Sequence, residues 1–206
     1  MKSNDLNPNH KINKVAHRLT IHKFGPIDDA ELAIKDFMIL IGPQASGKST
    51  ISKLIYFFLD IRDELINFME DSVDENASKF DQLAFTKRLN QRILDFFSTS
   101  PRSLETRVSY QYTNEITITF TRNVDNLYMF FDYSYKLRKK LSAIYENHKK
   151  SVSSKQLSPS IFDSTTRRER RIANTKLRVE LAELLNFDNE ILYIPAGRSF
   201  LSILAG

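Results

Sequence analysis

One short segment of the chain carries residues whose types and spacing suit phosphate chemistry. Its pattern is glycine, any four residues, glycine, lysine and serine, and it reads Gly42-Pro43-Gln44-Ala45-Ser46-Gly47-Lys48-Ser49. The two glycines let backbone N–H groups approach an anion without interference from a Cβ. Lys48 is placed to reach β- and γ-phosphate oxygens, Ser49 to ligate Mg²⁺, and the following Thr50 to contact the α-phosphate. The segment therefore predicts binding of a nucleoside triphosphate, in the first place ATP with Mg²⁺.

Such a loop needs a buried strand before it and a helix N-terminus after it, because the helix adds free N–H groups and a positive dipole end. Residues 37–41 form a continuous apolar run, which is typical of a strand buried on both faces. After the loop, apolar residues at helical spacing predict a helix from about residue 48 to Met69. The acidic stretch from Glu70 to Asn76 is expected to be a loop. The strand–loop–helix order that phosphate binding requires is thus present.

The rest of the chain alternates between strand and helix patterns. Alternating apolar residues predict two strands before the loop, within residues 15–24 and 30–34. Three more short strands between Val108 and Tyr133 are joined by short turns, so they are expected to be antiparallel. Helices are expected at 80–97, around 137–145 and at 167–186, a serine-rich loop at 151–160, and a last strand at 190–194. The sequence therefore indicates an α/β fold.

Composition narrows the class of protein. The 206 residues suit one domain, or one domain with an insert, and there is no cysteine to form disulfides or thiolate metal sites. No apolar run approaches membrane-spanning length, and the polar N-terminus lacks the apolar stretch of a signal peptide. We therefore expect a cytoplasmic protein with a disordered tail at residues 1–13.

The charges are distributed unevenly along the chain. Residues 60–81 hold eight acidic and two basic side chains, whereas residues 136–178 hold thirteen basic and three acidic ones. The basic segment, including Arg167, Arg168, Arg170 and Arg171, has a charge that would attract the phosphates of DNA or RNA. Solvated helix faces are the alternative explanation.

Two phrases resemble those of a known group of ATPases. The phrase at residues 19–27, LTIHKFGPI, and the loop at 41–50, IGPQASGKST, resemble the heads of SMC-like, ABC-type ATPases. This group includes RecF-like and OLD-type proteins and many bacterial anti-phage defence ATPases. The phrase at residues 191–199, ILYIPAGRS, resembles a segment of some of these bacterial ATPases.

The resemblance implies a P-loop fold with a parallel core sheet and an antiparallel side sheet. It also implies a homodimer that holds ATP between two heads, with hydrolysis coupled to nucleic acid or an effector protein, as in DNA repair or anti-phage defence. In the family, the Walker B strand, the signature loop and the switch histidine follow the phrase at 191–199. We therefore expect residues 14–206 to be the N-terminal part of a head that is incomplete at its C-terminus, with a helical, basic insert at about 134–187.

Several assignments stay open at this point. Asp132 is an alternative Mg²⁺ ligand if residues 127–132 are a Walker B strand, and Gln82, Gln91 and Gln111 are the candidates for a Q-loop glutamine. Arg198 is placed to contact nucleotide or a neighbouring subunit, or to stabilise a turn. Without an assigned catalytic residue, a non-hydrolysing ATP-sensing module is the second hypothesis. A small-molecule kinase with a basic lid at 151–171 is the third.

Overall fold

The computed structural model describes residues 16–97, 105–122, 129–153 and 164–192. Within these ranges five strands form one antiparallel sheet of order β2-β1-β3-β4-β5, accompanied by four helices. The elements are β1 (Arg18–Phe24), β2 (Ile27–Ala33), α1 (Lys48–Asp74), α2 (Gln82–Phe97), β3 (Arg107–Gln111), β4 (Thr117–Arg122), β5 (Met129–Tyr133), α3 (Tyr135–Ser153) and α4 (Ser164–Leu185).

The antiparallel sheet confirms the strands predicted on both sides of the glycine loop. Strands β1 and β2 form a tight hairpin in which Phe24 pairs with Ile27, and β3 joins the other edge of β1. Strands β3, β4 and β5 form the expected meander. Because successive side chains of a strand alternate between faces, one face of the sheet is apolar and buried.

Helix α1 lies across that apolar face. Phe58 is fully buried there, and its ring stacks on Tyr110 and Phe120 with centroid distances of 4.9 and 5.9 Å. The Tyr112 hydroxyl donates a hydrogen bond to the carbonyl oxygen of Phe58, which ties the meander to the helix backbone. Aromatic pairs in these geometries add about 0.5–1.5 kcal/mol each to the burial of their area. The sheet therefore fixes the direction of α1 and the position of its N-terminus.

Helices α2, α3 and α4 cover the rest of α1. The acidic residues of α1 face arginines of α2, with Glu64 accepting from Arg88 at 2.8 Å and Asp60 accepting from Arg92. Helices α3 and α4 pack on each other and on the last turns of α1, where Arg170 pairs with Asp74 at 2.6 Å. None of the helices within the described ranges is long and apolar enough to cross a membrane.

The structure corrects the predicted strand at residues 37–41. This segment is not a strand, and Phe37, Ile39 and Ile41 expose 79, 68 and 90% of their surface. An apolar run is buried only where neighbouring strands cover it, and the sheet of the described residues is antiparallel and does not include this segment. The expected parallel core is thus not shown, and residues 190–192 are not a strand either.

Two predicted loops are partly helical. Helix α1 continues to Asp74 instead of ending near Met69, and it buries Ser72 and Val73. Helix α3 continues to Ser153, into the serine-rich segment, while 154–160 lie outside the described residues. The tail at 1–13 and most of the phrase at 191–199 also lie outside them.

Candidate phosphate-binding site

The N-terminus of α1 has the backbone geometry of an anion site. Gly47 is the N-cap residue in a left-handed conformation, with φ 91° and ψ 4°, and the first intrahelical bond runs from the Ile51 N–H to the Gly47 carbonyl at 2.9 Å. The N–H groups of the N-cap and of the three residues that follow it lack partners within the helix. No side chain caps them, and the first turn holds no acidic residue. The positive end of the helix dipole is therefore left for a ligand.

Lys48 folds back into the loop that precedes it. Its Nζ donates hydrogen bonds to the carbonyl oxygen of Gly42 at 2.7 Å and to that of Pro43, and it lies 3.2 Å from the Ser46 hydroxyl. The ammonium group is thus held at the centre of the loop, on the side where the loop is exposed. A phosphate entering the loop would meet this charge directly. The arrangement agrees with the predicted role of Lys48.

The loop itself is shaped by two left-handed residues. Ala45 has φ 62° and Gly47 has φ 91°. A non-glycine residue in this region costs roughly 1–2 kcal/mol, which a turn that presents N–H groups to an anion can recover on binding. The remaining loop residues, Pro43, Gln44 and Ser46, are exposed and leave the concave side accessible. The sequence predicted this loop by its spacing alone.

Hairpin β1–β2 supports the loop from below. A Cβ on Gly47 would lie 2.6 Å from the Cγ1 of Ile27, and a Cβ on Gly25 would lie 3.7 Å from the Thr50 methyl group. The hairpin turn is therefore packed against the junction between loop and helix. Gly25 and Pro26 follow a predicted strand and precede another in the sequence, which indicates a turn there but not its contact with the loop.

Ser49 points to an open groove beside α1. Its side chain is exposed, and it lines a groove of about 790 Å³ together with Lys48 and Ser52. The groove is also lined by the apolar residues Met38, Ile39 and Leu192. The hydroxyl fits the predicted metal role. Thr50 is half-buried against the hairpin, and its contact with the α-phosphate stays a prediction.

The alternative assignment of Asp132 to Mg²⁺ is wrong. Asp132 belongs to β5, which is an edge strand of the antiparallel sheet. Three inter-strand spacings separate β5 from β1, which corresponds to roughly 14 Å. Its neighbours Phe131 and Tyr133 are buried on the α1 side, so the exposed Asp132 carboxylate points to the other face. It cannot share an ion with Ser49.

The candidate Q-loop glutamines do not meet at the loop. Gln82 begins α2 close to Phe80, which packs on Phe68 far along α1, and Gln91 donates to Asp95 of its own helix. Gln111 pairs with Arg18, at the end of β1 opposite the hairpin turn. Within the described residues, none of the three is therefore placed to contact a nucleotide at the loop.

The candidate arginines divide into two groups. Arg170 is engaged by Asp74, whereas Arg167, Arg168 and Arg171 are exposed on α4. Arg198 lies outside the described residues. The α4 arginines are remote in sequence from the loop.

Comparison with known proteins supports the chemistry of the loop. A family model described as an AAA ATPase domain matches residues 15–194, which include the hairpin, the glycine loop and all four helices. Comparisons with curated proteins and with solved structures gave no match. Because the family model covers most of the chain and the loop has the geometry of a phosphate site, the protein belongs to the AAA ATPase domain family of ATP-binding P-loop ATPases.

Proposed function

We propose that this chain is an ATPase head whose nucleotide-driven dimerisation is coupled to a nucleic acid or an effector protein. The observation that carries the proposal is the uncapped N-terminus of α1, with Lys48 held at the centre of the preceding loop. The antiparallel side sheet beside that loop is the arrangement that the resemblance to SMC-like, ABC-type heads implies. Work in DNA repair or anti-phage defence is the corresponding biological proposal.

The residues have distinct tasks in this account. The N–H groups from Ala45 to Lys48 hold the β-phosphate, and the Lys48 ammonium stabilises negative charge on the β- and γ-oxygens. The Ser49 hydroxyl would hold Mg²⁺, which would neutralise the charge that develops on the phosphates. Hairpin β1–β2 keeps the loop in place through Ile27.

The exposed apolar run fits the proposed ABC-type head. Phe37, Ile39 and Ile41 form one solvent-exposed segment, and Leu192 exposes 82% of its surface across the groove. Apolar side chains spaced in this way require cover in a stable protein. In the proposed head, the parallel strands of the core sheet would cover these side chains.

Hydrolysis requires groups beyond the loop. A residue must orient the attacking water, and further positive charge must stabilise the transferring phosphoryl group. Neither can be assigned among the described residues, now that Asp132 is placed elsewhere. In the proposed dimer the second copy supplies groups of this kind.

The test is phosphate release as a function of protein concentration. We expect turnover per chain to rise with protein concentration, because two heads complete one site, and the Lys48→Ala variant to release no phosphate. Turnover per chain that does not change with concentration would contradict the dimer model. ATP binding without turnover at any concentration would favour the second hypothesis, a non-hydrolysing ATP sensor.

A further inference from the structure

Helix α4 presents an exposed face on which arginines and apolar residues alternate. Its buried side is formed by Ala173, Leu177, Leu181 and Leu185. The opposite side carries Arg168, Arg171, Ile172, Thr175, Arg178 and Val179, all exposed. Spacings of three and four residues place these six side chains on one helix face. We call this the α4 basic face.

The three arginines of the α4 basic face are not neutralised. Arg168, Arg171 and Arg178 make no ion pair with another described residue, whereas Arg170 on the flank of the helix is paired with Asp74. Helix α3, which packs on α4, exposes the further basic residues Arg138, Lys139, Lys140 and Lys150. These residues add to the positive charge of the α3–α4 helix pair.

Much of the acidic charge of α1 is engaged by basic residues elsewhere in the fold. Asp60 and Glu64 are almost fully buried and are held by arginines of α2. Asp71 and Asp74 are exposed, but Asp71 is bound by Arg88 at 2.8 Å and Asp74 by Arg170. Arg168, Arg171 and Arg178 have no ion pair of this kind among the described residues.

We propose that the α4 basic face binds the sugar–phosphate backbone of a nucleic acid. The inference rests on the proposed function, and of the two partners proposed there it selects the nucleic acid. From Arg168 to Arg178 the helix rises by about 15 Å, which matches about four nucleotides of one strand. Arginine suits phosphate oxygens because its planar guanidinium donates two parallel hydrogen bonds.

An anionic membrane surface fits the α4 basic face less well. A helix that lies in a membrane interface needs a broad apolar face with large side chains such as tryptophan, phenylalanine or leucine. Here the exposed apolar side chains of the face are Ile172, 59% exposed, and Val179, 51% exposed, and an arginine directly precedes each of them in the chain. Two aliphatic side chains next to charged residues can contact sugars or bases but do not form an insertion surface.

The experiment measures binding of a labelled 30-base-pair DNA duplex and a 30-nucleotide RNA strand by fluorescence anisotropy between 50 and 200 mM salt. The variant Arg168→Gln/Arg171→Gln/Arg178→Gln removes the charge of the face. The control, Lys79→Gln/Lys87→Gln/Arg107→Gln, removes the same charge from exposed residues on other elements. A third variant replaces the three α4 arginines by lysine and keeps the charge.

We expect wild type and control to bind one or both nucleic acids, and the α4 glutamine variant to lose affinity at least about tenfold at 100 mM salt. The slope of log affinity against log salt should fall by about 3, because each lost phosphate contact lowers it by about 1. The lysine variant should retain most of the binding. Equal losses in the α4 and control variants would overturn the proposal, because they would indicate net charge alone.

The proposal would also be overturned if wild type bound no nucleic acid at 50 mM salt. Binding to phosphatidylserine vesicles or polyglutamate without binding to nucleic acid would overturn it as well. ATP affinity separates this inference from the proposed function. If the α4 glutamine variant binds ATP normally and wild type binds no nucleic acid, only the inference fails. If wild type binds nucleic acid but not ATP, only the proposed function fails.

Discussion

Gly47 and Ile27 approach each other so closely that a Cβ on Gly47 would lie 2.6 Å from the Ile27 Cγ1. The contact joins the N-cap of α1 to hairpin β1–β2, and it explains why the loop requires glycine at this position beyond its left-handed φ of 91°. The hairpin is therefore part of the phosphate site, although none of its residues belongs to the glycine motif.

The contact predicts a large effect of Gly47→Ala. The new methyl group meets Ile27 and the left-handed conformation becomes strained, so the free energy of unfolding should fall by about 1–3 kcal/mol and ATP affinity should be lost. Gly25→Ala is the matched control, since Gly25 is also left-handed but a Cβ there would be at an ordinary contact distance. Urea unfolding compares the two. Equal destabilisation would show that strain alone, without the Ile27 contact, determines the result.

The charge network between α1 and α2 predicts a second result. Arg92→Leu leaves the nearly buried carboxylates of Asp60 and Glu64 without one of their donors, which should lower the free energy of unfolding by about 1–3 kcal/mol. Adding Asp60→Leu removes one unpaired charge and should restore part of the loss. Lys87→Leu, on the exposed side of α2, is the control. If the double variant is less stable than Arg92→Leu, the pair does not act as described.

His148 predicts a dependence of stability on pH. It is 5% exposed between α3 and α4, and its Nδ1 has no hydrogen-bond partner among the described residues. Burial lowers its pKa below the ordinary value of 6.5, opposed by the hydrogen bond to the Ala173 carbonyl and by Asp74 and assisted by the charge of Arg170. Its pKa is therefore lower in the folded than in the unfolded chain. The stabilisation is complete above about pH 6.5 and is lost as the pH falls through the folded pKa.

The measurement for His148 is the urea midpoint at several pH values between 7.5 and 5. The variant His148→Gln keeps a side-chain donor but does not titrate, so its midpoint should fall less than that of wild type over this range. The groups that face His148 from the pocket beside it, Lys176 and Glu180, form an ion pair with each other. Parallel curves for wild type and variant would contradict the assignment.

Local patterns predicted those parts of the fold that local interactions determine. Alternation placed β1, β2 and the meander, and the glycine spacing placed the loop. Helix α1 extends past the predicted end because Asp71 and Asp74, which suggested a solvated loop, are held by Arg88 and Arg170 from other helices. Such partners lie far away in sequence, and a short window cannot show them.

The strand predicted at 37–41 is wrong for a related reason, because the burial of an apolar segment depends on the strands beside it. Its composition indicates a strand but does not specify which strands cover it, and the sheet of the described residues is complete without it. The contact between Ile27 and Gly47 could not be predicted from local patterns either, since the two residues meet only when the hairpin folds back on the loop.

The central claim is that the loop before α1 binds ATP through Lys48. Among the described residues, Lys48 forms hydrogen bonds only within the loop, with Gly42, Pro43 and Ser46. The substitution Lys48→Ala should therefore leave the fold intact. Calorimetric titration with Mg²⁺–ATP is the direct measurement, with Lys87→Ala as the control for loss of an exposed lysine. We expect wild type and Lys87→Ala to bind equally, and Lys48→Ala to show no binding at ATP concentrations that saturate wild type. Equal ATP affinity of Lys48→Ala and wild type would contradict the assignment of the site.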